Sequence, residues 1–341
     1  MPALRFSNYR LYFIGQGISL IGTWMQTVAE QWLIYPVLTQ NKSLLGIVSA
    51  VNLIPTTLFV LFAGVLADRI DRRRVQILLQ SFYAVIAGVM SVLIVTGKIE
   101  VWHVFVAAFL TGLVFAFDMP TRQALMINLV DKEHLASALS LNGGIFNAAR
   151  ALGPSLAGML IASVGIAFAY FFNSISFLAV IVSLYLMKLP KHEEITTHSS
   201  FSTQLREGAT YIRKTPIVLV SLLLLAILTA FTWPTNTLLP VFAHDIYKRG
   251  EVGFGMLQSS FGIGAMIGAF GFSALFHAVK RKNILLGFSL LLISVSTMLF
   301  SQVTNFYIAL LVLVLGGWSA STLIGVLNTT VQMHVPDILR G

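Results

Sequence analysis

No cysteine occurs among the 341 residues. That excludes disulfides, thiolate nucleophiles and cysteine-ligated metal or iron–sulfur centres. Charge is scarce too: Asp, Glu, Lys and Arg make up 10% of the chain, against about a quarter in ordinary soluble domains. The chain carries no phosphate-cradling GxxxxGK[ST] loop and no HExxH or GxSxG pattern, and its seven histidines form no ligand cluster. ATP hydrolysis, zinc-dependent hydrolysis and serine-nucleophile chemistry therefore lack their usual carriers. No enzymatic activity, cofactor, metal or nucleotide is expected.

Apolar residues fill the space. They make up 57% of the chain, and the mean hydropathy is +0.84. A bilayer span needs about 20 apolar residues. Runs of that kind recur at 11–36, 44–67, 75–97, 101–127, 136–163, 165–188, 216–243, 253–279, 283–303 and 305–334. Ten such runs joined by mostly short polar loops read as an all-α polytopic membrane protein. The N-terminal MPALRFSNYRLYF has no small-residue cleavage site behind a short apolar core, so the first run reads as a retained span.

Basic residues outnumber acidic ones by 22 to 13, and their placement points to a membrane and not to nucleic acid. With the N-terminus in the cytoplasm, 17 of the 22 fall on that side; Lys42, Lys98, Lys248 and Arg249 fall on the other, and Arg150 lies within a span. This obeys the positive-inside rule. The densest cluster, Gly64 to Arg74 (GVLADRIDRRR), becomes a cytoplasmic loop.

Anchoring alone leaves Asp68 in that loop unexplained. The pattern formed by Gly64, Leu66, Ala67, Asp68, Arg69, Arg72 and Arg73 resembles the loop between helices 2 and 3 of the major facilitator superfamily, with Asp71 where the family usually has glycine. The resemblance implies a conformational latch in which Asp68 grips a helix of the other half and an arginine of helix 4, here Arg122. On the fifth run, Ala149, Gly153, Pro154, Ala157 and Gly158 resemble the superfamily's antiporter signature. A kinked, closely packed helix accounts for the same residues. The segments NYRLYFIGQGISLIGTWMQTVAEQWLIY and FDMPTRQALMINLVDKEHLASALSLNGGIFNAARALGPSLAG are similar to the bacterial drug and siderophore exporter branch, which includes macrolide efflux proteins and the enterobactin exporter. Membership implies two six-helix halves in the bacterial inner membrane. It also implies proton-driven export of small amphipathic molecules by alternating access. A non-transporting sensor or assembly protein of the same fold, or an uptake transporter, is the alternative.

The chain also compares with itself. A shift of 207 lays Arg73-Arg74 on Lys280-Arg281 and Ile77-Leu78 on Ile284-Leu285, while the acidic residue is lost from the second copy. Residues 1–188 then form a six-helix half, 189–215 a cytoplasmic linker, and 216–341 an incomplete half of four helices. Counterparts of 136–188 are missing, and a truncated second half is expected. Within the linker, Phe201, Leu205, Ala209 and Ile212 recur at helical spacing and suggest a helix lying on the membrane face.

Candidate binding residues come from polar groups inside apolar runs. On the first run, Gln16, Ser19, Thr23, Gln26 or Thr27, and Glu30 share one helical face, which should line a cavity. Glu30, Asp118 and Arg150 are the charges most clearly within spans, and such charges are costly unless they serve a function. Glu30 is the leading proton-site candidate. Asp118 sits four residues before Arg122, so a structural ion pair competes with a proton role. Arg150, with Asn147 on its face, could meet an anionic substrate or a structural partner. In the second half, Trp233, Asn236, Trp318 and Asn328 offer aromatic and amide groups for the cavity wall.

Overall fold

A computed structural model describes residues 2–67, 71–187, 210–278 and 282–335. These form ten long helices: α1 (Ser7–Trp32), α2 (Lys42–Ala67), α3 (Arg72–Val95), α4 (Val101–Ile127), α5 (Leu135–Val164), α6 (Ile166–Leu186), α7 (Pro216–Val241), α8 (Gly250–Ala278), α9 (Lys282–Gln302) and α10 (Phe306–His334). No strand occurs among the described residues. In a bilayer every backbone N–H and C=O must be satisfied within the protein, so helices are the economical answer to this composition. Nine of the ten, all but α1, are long and apolar enough to cross a membrane. The polar face of α1, which carries Gln16, Ser19, Thr23, Gln26 and Glu30, is what sets it apart.

Local chemistry decides where helices start. Asp71 caps α3, its carboxylate accepting from Arg73 N at 3.0 Å and Arg74 N at 3.3 Å. The residue that departs from the superfamily's glycine thus has its own task, satisfying backbone donors that the first helical turn leaves open. Asn305 caps α10 in the same way.

Internal duplication is visible in the backbone. Both α1 and α7 end in a π-helical turn, Leu33–Thr39 and Phe242–Ile246. Each turn leads to a left-handed non-glycine residue, Gln40 at φ 53° and Lys248 at φ 52°. The helix crossings repeat as well. On α4, Gly112 lies so close to α2 that a β-carbon would collide with the Asn52 carbonyl. On α10, a β-carbon at Gly317 would collide with the Phe261 carbonyl of α8. In the first copy the approach is fastened by Asn52 Nδ2 donating to Ala108 O at 3.0 Å and Thr56 Oγ1 to Gly112 O at 2.9 Å. In the second, Gly264 and Gly268 of α8 meet the α10 backbone at Val314 and Trp318. Small residues let transmembrane helices approach where hydrophobic burial supplies no drive.

The chain divides into two compact units. The first contains α1 to α6 together with Thr237–Ser259, which spans the end of α7 and the start of α8. Its N-terminal end is closed by a buried cluster of Ala3, Tyr9, Tyr12, Leu125, Met126, Leu129 and Leu184, with Tyr9 Oη donating to Ala138 O at 2.9 Å. The second unit contains the remainder of α7 and α8 with α9 and α10. Within it, Tyr211 Oη donates to the His334 carbonyl.

Candidate functional site

Along α1 the polar residues of the first unit fall into levels. Nearest the N-terminal end is the arginine loop. Asp68 and Arg69 lie outside the described residues, as does the linker segment with Phe201, Leu205 and Ala209. Arg72 Nη1 donates to the Ala124 carbonyl at 3.3 Å, near the end of α4, and Arg73 Nη2 to the Tyr185 carbonyl at 2.8 Å, near the end of α6. These cations sit on helix C-termini, where carbonyls are unsatisfied and the dipole is negative. The arginines therefore do more than anchor: they tie the start of α3 to two neighbours. At Gly64 a β-carbon would meet nothing within 4 Å among the described residues.

One level further in, Asp118 is buried on α4. Its Oδ1 accepts from the carboxamides of Gln76 and Gln80 on α3, the latter at 3.0 Å, and its Oδ2 lies 3.5 Å from Arg122 Nη2. The guanidinium of Arg122 is within electrostatic reach of Tyr12 and Tyr83. The oxygens of Gln76 and Gln80 and the hydroxyl of Tyr12 have no protein partner among the described residues. The ion pair of Asp118 is with Arg122, one turn along its own helix, and Arg150 is engaged elsewhere. Sequence reasoning left out Gln76 and Gln80. Two carboxamides one turn apart in the apolar stretch VQILLQSF were the signal.

Midway along α1, Arg150 of α5 lies 5.8 Å above the Trp24 ring, which meets Phe146 edge-on at 5.8 Å. A guanidinium over an indole face is a cation–π arrangement. Asn147, on the same face of α5, is half-buried and donates to its own helix at Gly143 O, 2.9 Å away. Gln26 is drawn toward α6, its Oε1 accepting from Asn173 Nδ2 at 2.7 Å, while the oxygen of Asn173 accepts from Ser176 Oγ at 2.9 Å. Gln16 is buried. Thr23 and Thr27 donate to carbonyls one turn back in α1. The stripe read from the sequence is thus divided: part is spent on helix packing and back-bonding. Glu30, its one ionisable member, is half-buried and has no hydrogen-bond or ion-pair partner among the described residues. Tyr170 of α6, buried and with no hydrogen-bond partner for its hydroxyl among the described residues, lies within its electrostatic reach.

The small residues of α5 are where that helix meets α1 and α8. A β-carbon at Gly153 would press on Trp24, and one at Gly158 on the Glu251 carbonyl. Gly255 of α8 is equally tight against the Pro154 carbonyl and the Gly158 α-carbon. Ser155 N, next to Pro154, donates to Ser259 Oγ of α8 at 2.9 Å. A proline frees helical backbone groups that then need partners, and here a facing serine supplies one.

The family described as transmembrane secretion effector, within the major facilitator superfamily, matches residues 1–341. The chain belongs to this family. Among similar proteins, the staphyloferrin A transporter of Staphylococcus aureus is 26% identical over 264 residues, 76% of this chain and 65% of that protein. Macrolide efflux protein A of Streptococcus pyogenes is 22% identical over 301 residues, 86% of this chain and 73% of that protein. The first of these matches thus spans just under two thirds of the relative's length. In fold, the chain is similar to a bacterial homolog of the lysosomal transporter Spinster in an inward-facing, unoccupied conformation, with a TM-score of 0.71 at 11% identity, covering 95% of this chain and 75% of that one.

The second-unit candidates of this transmembrane secretion effector chain are placed differently from one another. Trp233 is largely exposed and Asn236 Nδ2 donates to Thr232 O at 3.2 Å on its own helix. Trp318 packs edge-on against Phe288, with ring centroids 6.3 Å apart, on the helix crossing made by Gly264 and Gly268. Asn328 is exposed on α10, with no partner among the described residues.

Proposed function

We propose that this protein is a secondary active exporter of small amphipathic molecules, either siderophores or drugs, which exchanges them for protons by alternating access in the bacterial inner membrane. The observation that carries the reading is the contrast between the two carboxylates of the first unit. Asp118 is held by Gln76, Gln80 and Arg122; Glu30 stands half-buried and, among the described residues, without a hydrogen-bond or ion-pair partner, within electrostatic reach of Tyr170. A buried, hydrogen-bonded ion pair is a structural element that is costly to break, whereas an isolated carboxylate in a span is free to take up and release a proton. Glu30 is thus assigned the coupling proton, and Asp118 with Arg122 the conformational frame.

Substrate contacts are assigned to the cation–π pair of Arg150 and Trp24 in the first unit. Large flat molecules with a polar edge suit such surfaces. The direction of transport rests on the relatives, efflux for the macrolide protein, and on the Gly-Pro packing of α5 against α8.

The test is dye transport in inverted membrane vesicles with an imposed proton gradient. A gradient-driven cationic dye flux that disappears in Glu30→Gln and survives in Asp71→Ala is the expected result. Dye movement that ignores the gradient overturns the proton assignment.

A further inference from the structure

Within the first unit, α1 and α6 meet along a seam of small and polar residues. A β-carbon at Gly15 would strike Ser183 Oγ and the Ala179 carbonyl, and one at Gly22 would strike Asn173 Oδ1 and Ser176 Oγ. Further along, Gln26 Oε1 accepts from Asn173 Nδ2 at 2.7 Å. Residue numbers rise on α1 as they fall on α6, so the helices are antiparallel and their contacts form the rungs of a ladder. From the rung of Gly22 and Ser176 to that of Gln26 and Asn173 is four residues on in α1 and three back in α6, about one turn of each helix. The same step taken once more arrives at Glu30 and Tyr170.

This last rung differs from the one before it. At the Gln26 rung the polar groups answer one another: the oxygen of Asn173 also accepts from Ser176 Oγ, at 2.9 Å. Tyr170 is only 1% exposed, and its hydroxyl has no hydrogen-bond partner among the described residues, although Glu30 lies within its electrostatic reach. Buried polar groups in folded proteins are nearly always paired, so a buried phenol without a partner points to one supplied in another state of the site. An ionised carboxylate can only accept, and a phenol can donate. The bond between them is charge-assisted and belongs to the strong class. A charge within a span is costly, so the ionised form of Glu30 is the one that needs this donor.

We propose that Tyr170 is a positioning residue for the proton site: when Glu30 releases its proton, the Tyr170 hydroxyl donates to the carboxylate across the seam of α1 and α6. Tyr170 keeps its own proton throughout, and the proton that leaves is that of Glu30. The charged groups on the other elements packed against α1 are engaged elsewhere or lie further off. Arg150 of α5 stands over Trp24. In the turn after α7, His244 lies edge-on to Trp32, while Asp245 is held by Tyr35, Lys42 and His244. Glu251 stands in the first turn of α8.

The proposal rests on the assignment of the coupling proton to Glu30, but its measurement needs no transport. Dicyclohexylcarbodiimide is an apolar reagent that adds to protonated carboxyl groups. Its attachment to Glu30, read by mass spectrometry of the purified protein over a series of pH values, gives the midpoint at which the proton leaves, with Glu30→Gln as the blank. Losing a donor to the ionised form leaves the proton more tightly held. Tyr170→Phe is therefore expected to move the midpoint to higher pH by about one unit, a tenfold change in proton affinity. Tyr83→Phe, which removes a hydroxyl near Asp118 and Arg122 instead, is expected to leave it in place. An unchanged midpoint in Tyr170→Phe, or equal shifts in both variants, overturns the proposal. Absence of labelling at every pH overturns it together with the proton assignment. If the midpoint shifts while the unaltered protein moves no dye, the positioning role stands and the export reading falls. If gradient-driven flux is lost in Glu30→Gln and the midpoint does not respond to Tyr170→Phe, the positioning role falls alone.

Discussion

Single residues divide the charges of this protein into those that hold it together and those left free to act. Asp118 and Arg122 belong to the first group. Removing one partner strands the other in a buried site, which costs about 3–5 kcal/mol. Arg122→Met is therefore expected to lower the melting temperature of the detergent-solubilised protein sharply, and Arg122→Met with Asp118→Asn to recover much of the loss; equal melting of the two variants contradicts the assignment. Glu30 belongs to the second group: Glu30→Gln is expected to leave melting unchanged while coupled flux is lost. Asp71 gives a smaller effect. As the cap of α3 it is worth about 1 kcal/mol, so Asp71→Ala is expected to shift melting modestly without altering flux.

Helices in this chain are set by apolar length and joined by glycine. The ten runs seen in the sequence became the ten helices α1 to α10 with shifts of a few residues at their ends, because apolar length is a direct readout of bilayer thickness. Packing was less legible. Gly153 and Gly158 stood out through their proline, but Gly112 and Gly317, which mark the repeated crossing, did not, since nothing in a run such as FLTGLVFAF shows which carbonyl lies opposite. Gly64 shows the converse: a motif glycine with open space beside it. Gly317→Val is accordingly expected to prevent stable folding, as overpacking against a backbone carbonyl has no side chain to displace. Gly64→Ala is expected to be tolerated, and could gain up to about 1 kcal/mol in helix propensity; the yield of monodisperse protein after solubilisation distinguishes the two.

For the whole molecule, the site was legible where charge interrupts apolar sequence and illegible where polar groups answer one another across helices. Glu30, Asp118 and Arg150 could be picked out because a charge in a span is rare. Their partners could not: Gln76, Gln80 and Tyr170 are unremarked until α3 and α6 are placed, and the Asp245 cluster joins loops from distant parts of the chain. The stripe on α1 was read as one surface, yet Gln26 turns to Asn173 while Thr23 and Thr27 bond their own helix, a division set by neighbours and not by period. What unites the molecule is a duplicated frame with unduplicated charges, and the proposal of export by proton exchange rests on that arrangement. The most direct test measures catechol siderophore release and cationic dye retention side by side, in cells lacking their own exporters and expressing the full-length protein or its Glu30→Gln variant. Restored siderophore release or lowered dye retention with the unaltered protein, lost in the variant, is the expected result; no change in either quantity at normal membrane levels would contradict the account.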